Sequence, residues 1–318
     1  MKILVLTNMY PNADKPYWGI FVKEQVDSYK KQYPESELDV LPLTDGSLVK
    51  RYILSSFKLL SKVLSNRPDV IHVHFGLTFL PLLLTLPFLK IADIKLVTTF
   101  HGSDILGANK LTRFVSKLAI MNSDAVIAVS EQIFNRISHR NKLSLPCGVA
   151  EQFIEFAEQS GSEETRNKLV VFPSSPSRPE KDFDKFQSII SQVESSIGKP
   201  VEYEVLENKS REQIAKLFTD ARCLLMTSKH EGSPQVVKEA IYCDLPVIST
   251  DVGDVKKLIQ QNSYCTVSDS EKSLSQAVAK LLSINFLKGA DYCSESKQKL
   301  SNKTVTKQLQ KIYSDLKR

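Results

Sequence analysis

Residues 229–255 read KHEGSPQVVKEAIYCDLPVISTDVGDV. They follow the apolar run Cys223–Thr227, which has the look of a buried strand. Ser233 is a good helix cap and Pro234 suits a first helical position, so the stretch is predicted as strand, loop and helix start. The amides of a first helical turn lack intrahelical partners. With the helix dipole they form a site for anionic groups such as phosphates. Gly232 allows close approach of a ligand to the backbone. Glu231 lies in the loop and Glu239 in the second helical turn. Eight residues of helix turn the chain by about 80°, so the two carboxylates suit two contacts along one elongated ligand. A carboxylate accepts hydrogen bonds from paired hydroxyls, which sugars and ribose both offer. From these residues alone, two solvated glutamates at a helix start stay an open alternative.

Outward from this stretch, strand-like and helical patterns alternate. Strands are predicted at Lys2–Thr7, Leu38–Leu43, Val70–His74, Leu96–Phe100 and Ala125–Ser130, with a helix over Ile20–Lys31. After a break at Cys147–Asn167, read as a linker for its acidic run EQSGSEETRNK, strands resume at Leu169–Phe172, Val201–Leu206, Cys223–Thr227 and Pro246–Thr250. The runs are mostly continuously apolar, as in parallel sheets covered on both faces. The polar tail Ser294–Lys317 has a helical pattern. The expected architecture is α/β: two Rossmann-like doubly wound parallel-sheet domains facing each other across a cleft. They span residues 1–150 and 151–300, and a C-terminal helix over 301–318 packs back towards the first.

The 318 residues are 42% hydrophobic and 25% charged, with a net charge of +6, which suits two globular domains and anionic partners. The five cysteines, Cys147, Cys223, Cys243, Cys265 and Cys293, form no C-x-x-C pair, which argues against a disulfide scaffold or zinc site and for reduced thiols in the cytoplasm. The N-terminal apolar run is too short for a signal-peptide core. The longest apolar run, Phe75–Leu89, holds two prolines and falls short of a membrane span. The absence of G-x-G-x-x-G argues against a nicotinamide or flavin enzyme. No nucleic-acid-reading motif is present.

The 229–255 stretch resembles the donor-binding signature of family 4 retaining glycosyltransferases, of the GT-B fold: Glu, seven residues, Glu, a small-residue helix, a proline-led strand and a Gly loop. Here these are Glu231, Glu239, Ala240, Pro246 and Gly253. The resemblance implies that Glu231 contacts donor-sugar hydroxyls near the reacting carbon and that Glu239 holds the nucleotide ribose. It places the amides around Gly232, Ser233, Pro234 and Gln235 against the sugar and diphosphate. The segment VVFPSSPSRPEKDF, residues 170–183, is similar to the family's basic loop, mapping the two phosphate-binding cations onto Arg178 and Lys181. Two fixed cations there would stabilise charge on a departing phosphate. The family more often spaces the arginine five before the lysine, where Pro176 stands here.

In the first half, TTFHGSD, residues 98–104, fits the family's His-Gly-x-Asp loop. This implies that His101 reaches the donor sugar from the opposite domain and that Asp104 supports the loop or the acceptor. Gly19 matches the loop after the first strand, where it would approach the diphosphate or acceptor, although Trp18 replaces the first of the usual paired glycines. Residues 146–150, PCGVA, resemble a Pro-Asn-Gly-Val-Asp landmark at the domain junction. His72 and His74 are read as structural or near the acceptor, with no assigned role.

Between residues 48 and 67 no acidic residue occurs, and Lys50, Arg51, Lys58, Lys62 and Arg67 interleave with apolar residues. Lys110, Arg113 and Lys117 add a second basic run. The stretch reads either as a core-facing helix with a solvated basic face or as a helix lying on an anionic membrane, on the inner face of the plasma membrane.

The resemblance implies a UDP- or GDP-sugar donor, a glycan or lipid-linked acceptor hydroxyl, front-side displacement with retention, and a role in bacterial surface polysaccharide assembly. No Asp-x-Asp motif stands at the donor position, so neither metal nor cofactor is expected. A nucleotide-sugar epimerase, a phosphorylase or a non-catalytic nucleotide-sugar binding module of the same architecture are the alternatives.

Overall fold

In a computed structural model the chain divides into two compact units, residues 1–148 with 302–318, and residues 149–301. The structure describes residues 1–44, 46–47, 50–160, 166–259, 262–285, 290, 292 and 294–317. Leu48, Val49, residues 161–165 of the acidic run, and Cys293 therefore lie outside the described residues.

The first unit runs β1 (Lys2–Thr7), α1 (Ile20–Gln32), β2 (Glu37–Pro42), α2 (Ser55–Asn66), β3 (Val70–His74), α3 (Leu86–Ile91), β4 (Lys95–Phe100), α4 (Lys110–Asn122), β5 (Ala125–Ala128), α5 (Glu131–Arg136) and β6 (Lys142–Ser144). A π-helical turn, Lys50–Leu54, leads into α2, and a 3-10 segment, Gly76–Leu82, precedes α3. The sheet order is β2-β1-β3-β4-β5-β6 and every pairing is parallel. The continuous apolar runs explain this: β3 and β5 are buried throughout, whereas the edge strand β2 alternates. Leu4, Leu6, Ile71, Val73 and Leu96 pack with α2, the 3-10 segment and α4 on one face. Ile3, Val5, Val70, Val97 and Ile127 pack on the other.

The second unit runs α6 (Glu151–Gln159), β7 (Leu169–Phe172), α7 (Phe183–Ile197), β8 (Glu202–Val205), α8 (Arg211–Asp220), β9 (Cys223–Met226), α9 (Gln235–Tyr242), β10 (Val247–Ser249), α10 (Val255–Ile259), β11 (Thr266–Val267), α11 (Glu271–Ser283) and α12 (Ser294–Lys299). Its parallel sheet has the order β11-β10-β9-β7-β8. The last helix, α13 (Asn302–Leu316), belongs to the first unit, where Val305, Leu309 and Tyr313 join Val22, Val26 and Tyr29 of α1 in the second-face core. A side chain at Gly148 would strike the backbone of Asn302, so glycine is needed where the first unit's two stretches meet.

Four elements differ from the sequence expectation. The stretch read as a linker carries α6, because Phe153 and Ala157, one helical turn apart, are both buried in the second unit's core. The short strands β6 and β11 were not anticipated. Helix α9 begins one residue later than expected, with Pro234 rather than Ser233 as its N-cap.

Candidate functional site

In a doubly wound sheet, ligands bind beyond the carboxyl ends of the strands, where the strand order reverses. In the second unit that point lies between β7 and β9, so the loops leaving these strands decide the site. The β7 loop ends in a short 3-10 turn, Pro179–Lys181, closed by Asp182 at φ 54°. Thr227, just past β9, donates its hydroxyl to the carbonyls of Lys181 (3.0 Å) and Asp182 (2.9 Å), and the Lys229 amide donates to the Glu180 carbonyl at 2.9 Å. These bonds tie the two loops together and fix two of the side chains singled out in the sequence, Lys181 and Glu231. Lys181 Nζ donates to Glu231 Oε1 at 2.5 Å, with side chains only 10% and 14% exposed.

The β10 loop forms the third wall. Gly253, at φ 59°, packs so closely that a Cβ there would stand 2.7 Å from the Gly232 carbonyl oxygen. Only glycine meets both conditions. Ser233 donates its hydroxyl to Asp254 Oδ2 at 2.7 Å, which is why this serine does not cap α9. Burial raises the Asp254 carboxyl above the usual range, opposed first by the nearby Lys238 ammonium and then by the Ser233 bond. The loop bearing Glu231 is thus clamped from both sides.

Glu239, on the second turn of α9, is buried and accepts from Arg211 Nη2 at 2.6 Å. Arg211 opens α8, beyond β8, and its guanidinium lies 4.6 Å over the Phe153 ring. Sequence reasoning missed Arg211. Its only signal was a position at the head of a helix one strand removed from the glutamates. The expected second cation behaves differently. Arg178 is half exposed and donates Nε and Nη2 to Glu180 at 2.8 and 2.6 Å. The Lys181 amide donates to the Arg178 carbonyl at 3.0 Å, but among the described residues no side-chain hydrogen bond or ion pair joins Arg178 to Lys181, Glu231 or Glu239.

In the first unit the strand order reverses between β1 and β3. Gly19 ends the β1 loop as the N-cap of α1 at φ 67°, and a Cβ there would fall 2.3 Å from the Met9 carbonyl oxygen. His101 follows β4. Its ring stacks on His74 with Nε2 3.0 Å from His74 Nδ1, lies 4.3 Å from the Phe75 ring and 5.2 Å from Phe21, and places Nδ1 3.8 Å from Cys147 Sγ. His72 continues the row: its ring lies 4.4 Å from His74 and bonds Tyr313 Oη at 2.5 Å and Thr99 Oγ1 at 2.7 Å. Burial drives the His74 ring down to about 3 and His72 well below the ordinary histidine value, so both rings are neutral. Asp104 is buried and accepts the amides of Gly102 (2.9 Å), His101 (3.1 Å) and Gly76 (3.1 Å). Burial raises its carboxyl, with those amides pulling the other way. Its position makes it a loop brace.

Of the residues singled out in the sequence, the structure brings together Lys181, Glu231, Gly232 and Ser233, with Pro234, Gln235 and Glu239 on the adjoining helix. It joins His101 to Asp104 in the other unit. Among the described residues no cluster of histidine, cysteine or carboxylate side chains could hold a metal ion, and no helix is long and apolar enough to cross a membrane.

Comparison with known proteins decides the family. Residues 24–150 match the family described as Glycosyltransferase Family 4, and residues 180–301 match Glycosyl transferases group 1. The chain belongs to the family 4 glycosyltransferases. This glycosyltransferase is 24% identical to a Bacillus subtilis protein named as a teichuronic acid biosynthesis glycosyltransferase, over 88% of this chain and 89% of that one. Two solved structures share its GT-B fold. Sucrose-phosphate synthase from Thermosynechococcus elongatus superposes with a TM-score of 0.76 at 13% identity, covering 99% of this chain and 98% of that one. Anabaena HepE, in complex with UDP and glucose, gives 0.68 at 15% identity, covering 99% and 100%.

Proposed function

We propose that this glycosyltransferase moves a hexose unit, with retention of configuration and without a metal ion, from a UDP- or GDP-sugar to a hydroxyl of a glycan or lipid-linked acceptor during bacterial surface polysaccharide assembly. The observation that carries the reading is the Lys181–Glu231 pair at the strand-order reversal of the second sheet, together with the buried Glu239, on the helix that follows Glu231, paired with Arg211. The crystallised complex of HepE with UDP and glucose supports the donor class, and the teichuronic acid relative supports the polysaccharide setting.

In this reading the donor diphosphate lies at the start of α9 and draws the Lys181 ammonium towards itself. That frees Glu231 to accept hydrogen bonds from sugar hydroxyls. Glu239, held by Arg211, takes the ribose hydroxyls. The bond from the anomeric carbon to the phosphate oxygen breaks as the acceptor oxygen bonds to the same face of that carbon. The acceptor proton passes to the departing phosphate, and a nucleoside diphosphate leaves. Lys181 stabilises the charge that grows on the leaving group, in the place a metal ion would otherwise fill. Gly19, His101 and Asp104 serve the donor or acceptor from the first unit, with Asp104 acting through the loop backbone it braces.

Thermal unfolding with a panel of UDP- and GDP-sugars tests the donor, since a ligand bound only by the folded state raises its stability. Transfer should then proceed in the presence of a chelator, release nucleoside diphosphate only when an acceptor is added, and give a product with the donor's anomeric configuration. A changed sugar still attached to its nucleotide would instead mark an epimerase.

A further inference from the structure

The chain's positive charge is concentrated in one place. Residues 48–123 hold ten lysines and arginines against three acidic residues, while the rest of the chain holds 32 against 33. None of the three acidic residues offsets this region freely: Asp104 is buried, Asp69 pairs with Lys317 and Asp93 with Lys95. The same segment carries nine of the thirteen exposed large hydrophobic side chains among the described residues. The four outside it are all aromatic, Tyr17, Trp18, Tyr203 and Tyr264. Every exposed aliphatic one lies within it.

The fold gathers these groups on one layer. Helix α2, the 3-10 segment Gly76–Leu82 and α4 pack side by side on one face of the first sheet, burying Leu59, Val63, Phe79, Leu82, Val115 and Ala119 beneath them. Their outer surfaces stay apolar. Phe57 is 62% exposed and Phe114 is 61% exposed. On α4, Leu111, Phe114 and Met121 recur at helical spacing and form one stripe, flanked by the exposed Lys110, Arg113 and Lys117. On α2, Phe57 and Leu64 form the matching stripe beside the exposed Lys58. Each helix buries one apolar face in the core and presents a second, bordered by cations, to its surroundings.

We propose that this layer docks on an anionic lipid bilayer, with Phe57 and Phe114 entering the interface and Lys58, Lys110, Arg113 and Lys117 meeting the headgroups. Large aromatic and aliphatic groups ringed by cations fit a surface that is apolar within and negative at its rim. A second copy of the chain would bring like charge against like. The inference stands apart from the donor reading, since none of these residues belongs to the sugar-nucleotide site.

Co-sedimentation of the full chain with vesicles tests it. The protein should partition onto vesicles of mixed phosphatidylglycerol and phosphatidylcholine at low salt, release at high salt, and leave phosphatidylcholine vesicles bare. Replacing Lys58 and Lys117 by alanine should weaken partitioning by roughly thirtyfold. Phe57→Ser with Phe114→Ser should weaken it at least as far, with the melting temperature and donor-induced thermal shift of both variants unchanged. Any of three results would overturn the proposal: no partitioning at low salt, equal partitioning onto neutral vesicles, or unchanged partitioning of both double variants. A dimer in solution that these substitutions dissolve, without vesicles present, would give the face to a second copy instead.

Discussion

Two loops after parallel strands, one in each unit, carry the chemistry-bearing residues, and they are stabilised in opposite ways. Past β9, Glu231 is an ion held by an ion: Lys181 donates to it at 2.5 Å inside a nearly buried site, and Arg211 does the same for Glu239. Past β4, His101 sits among neutral rings, His74, Phe75 and Phe21, on a loop braced by a carboxylate that faces only amides. A compensated ion pair is a site prepared to exchange one charged partner for another, as the proposed diphosphate donor would require. A neutral stack holds shape without drawing in anions. In the proposed reading, the difference assigns the charge work of the enzyme to the second unit and the positioning work to the first.

The comparison breaks most readily at Lys181. Lys181→Ala should lower kcat by about 10²–10³-fold, as for loss of one group stabilising a developing anion. A loss below tenfold would move the charge work elsewhere. The next test falls on the neutral side. His72 and His74 charge in the unfolded chain below about pH 6.5 but stay neutral when folded, His74 down to about 3. Their contribution is therefore complete above pH 6.5 and is lost as pH falls. Stability should drop by about 1.4 kcal/mol per pH unit for each ring in that window. Urea unfolding of His74→Phe between pH 7 and pH 5 should show a shallower decline than the parent chain; equal slopes would contradict the neutral stack.

Arg211→Ala should raise the donor KM by about tenfold or somewhat more while changing kcat little, because it leaves Glu239 buried without its cation and disturbs ribose binding. A fall in kcat at constant KM would place Arg211 at the reacting centre. The smallest effect is expected at Arg178, whose exposed side chain pairs with Glu180 and not with Glu231 or Glu239. Arg178→Ala should change kcat/KM by roughly threefold or less, the worth of an exposed ion pair. A larger loss would mean that the side chain swings to the donor phosphates on binding.

How far the sequence carried this account varied with the signal each residue leaves. Strands β1, β3 and β7 were legible to the residue, because buried parallel strands are unbroken apolar runs. Glu231, Glu239 and Lys181 stood in long local patterns. Helix α6 was obscured by the polar residues around Phe153 and Ala157, and β11, at two residues, is too short to leave a pattern. Ser233 had the composition of a cap, yet Asp254, 21 residues on, takes its hydroxyl. Arg211 and the row from Tyr313 through His72 and His74 to His101 depend on contacts between segments far apart in the chain. Local pattern does not encode such contacts.

The central claim is that Glu231, released from Lys181, serves the sugar and not the nucleotide. The most direct measurement is the transfer rate of Glu231→Gln beside its calorimetric affinity for the nucleoside diphosphate. The account predicts a rate lowered by about a thousandfold with nucleotide affinity held within about tenfold. A variant that transfers at the parent rate would contradict it.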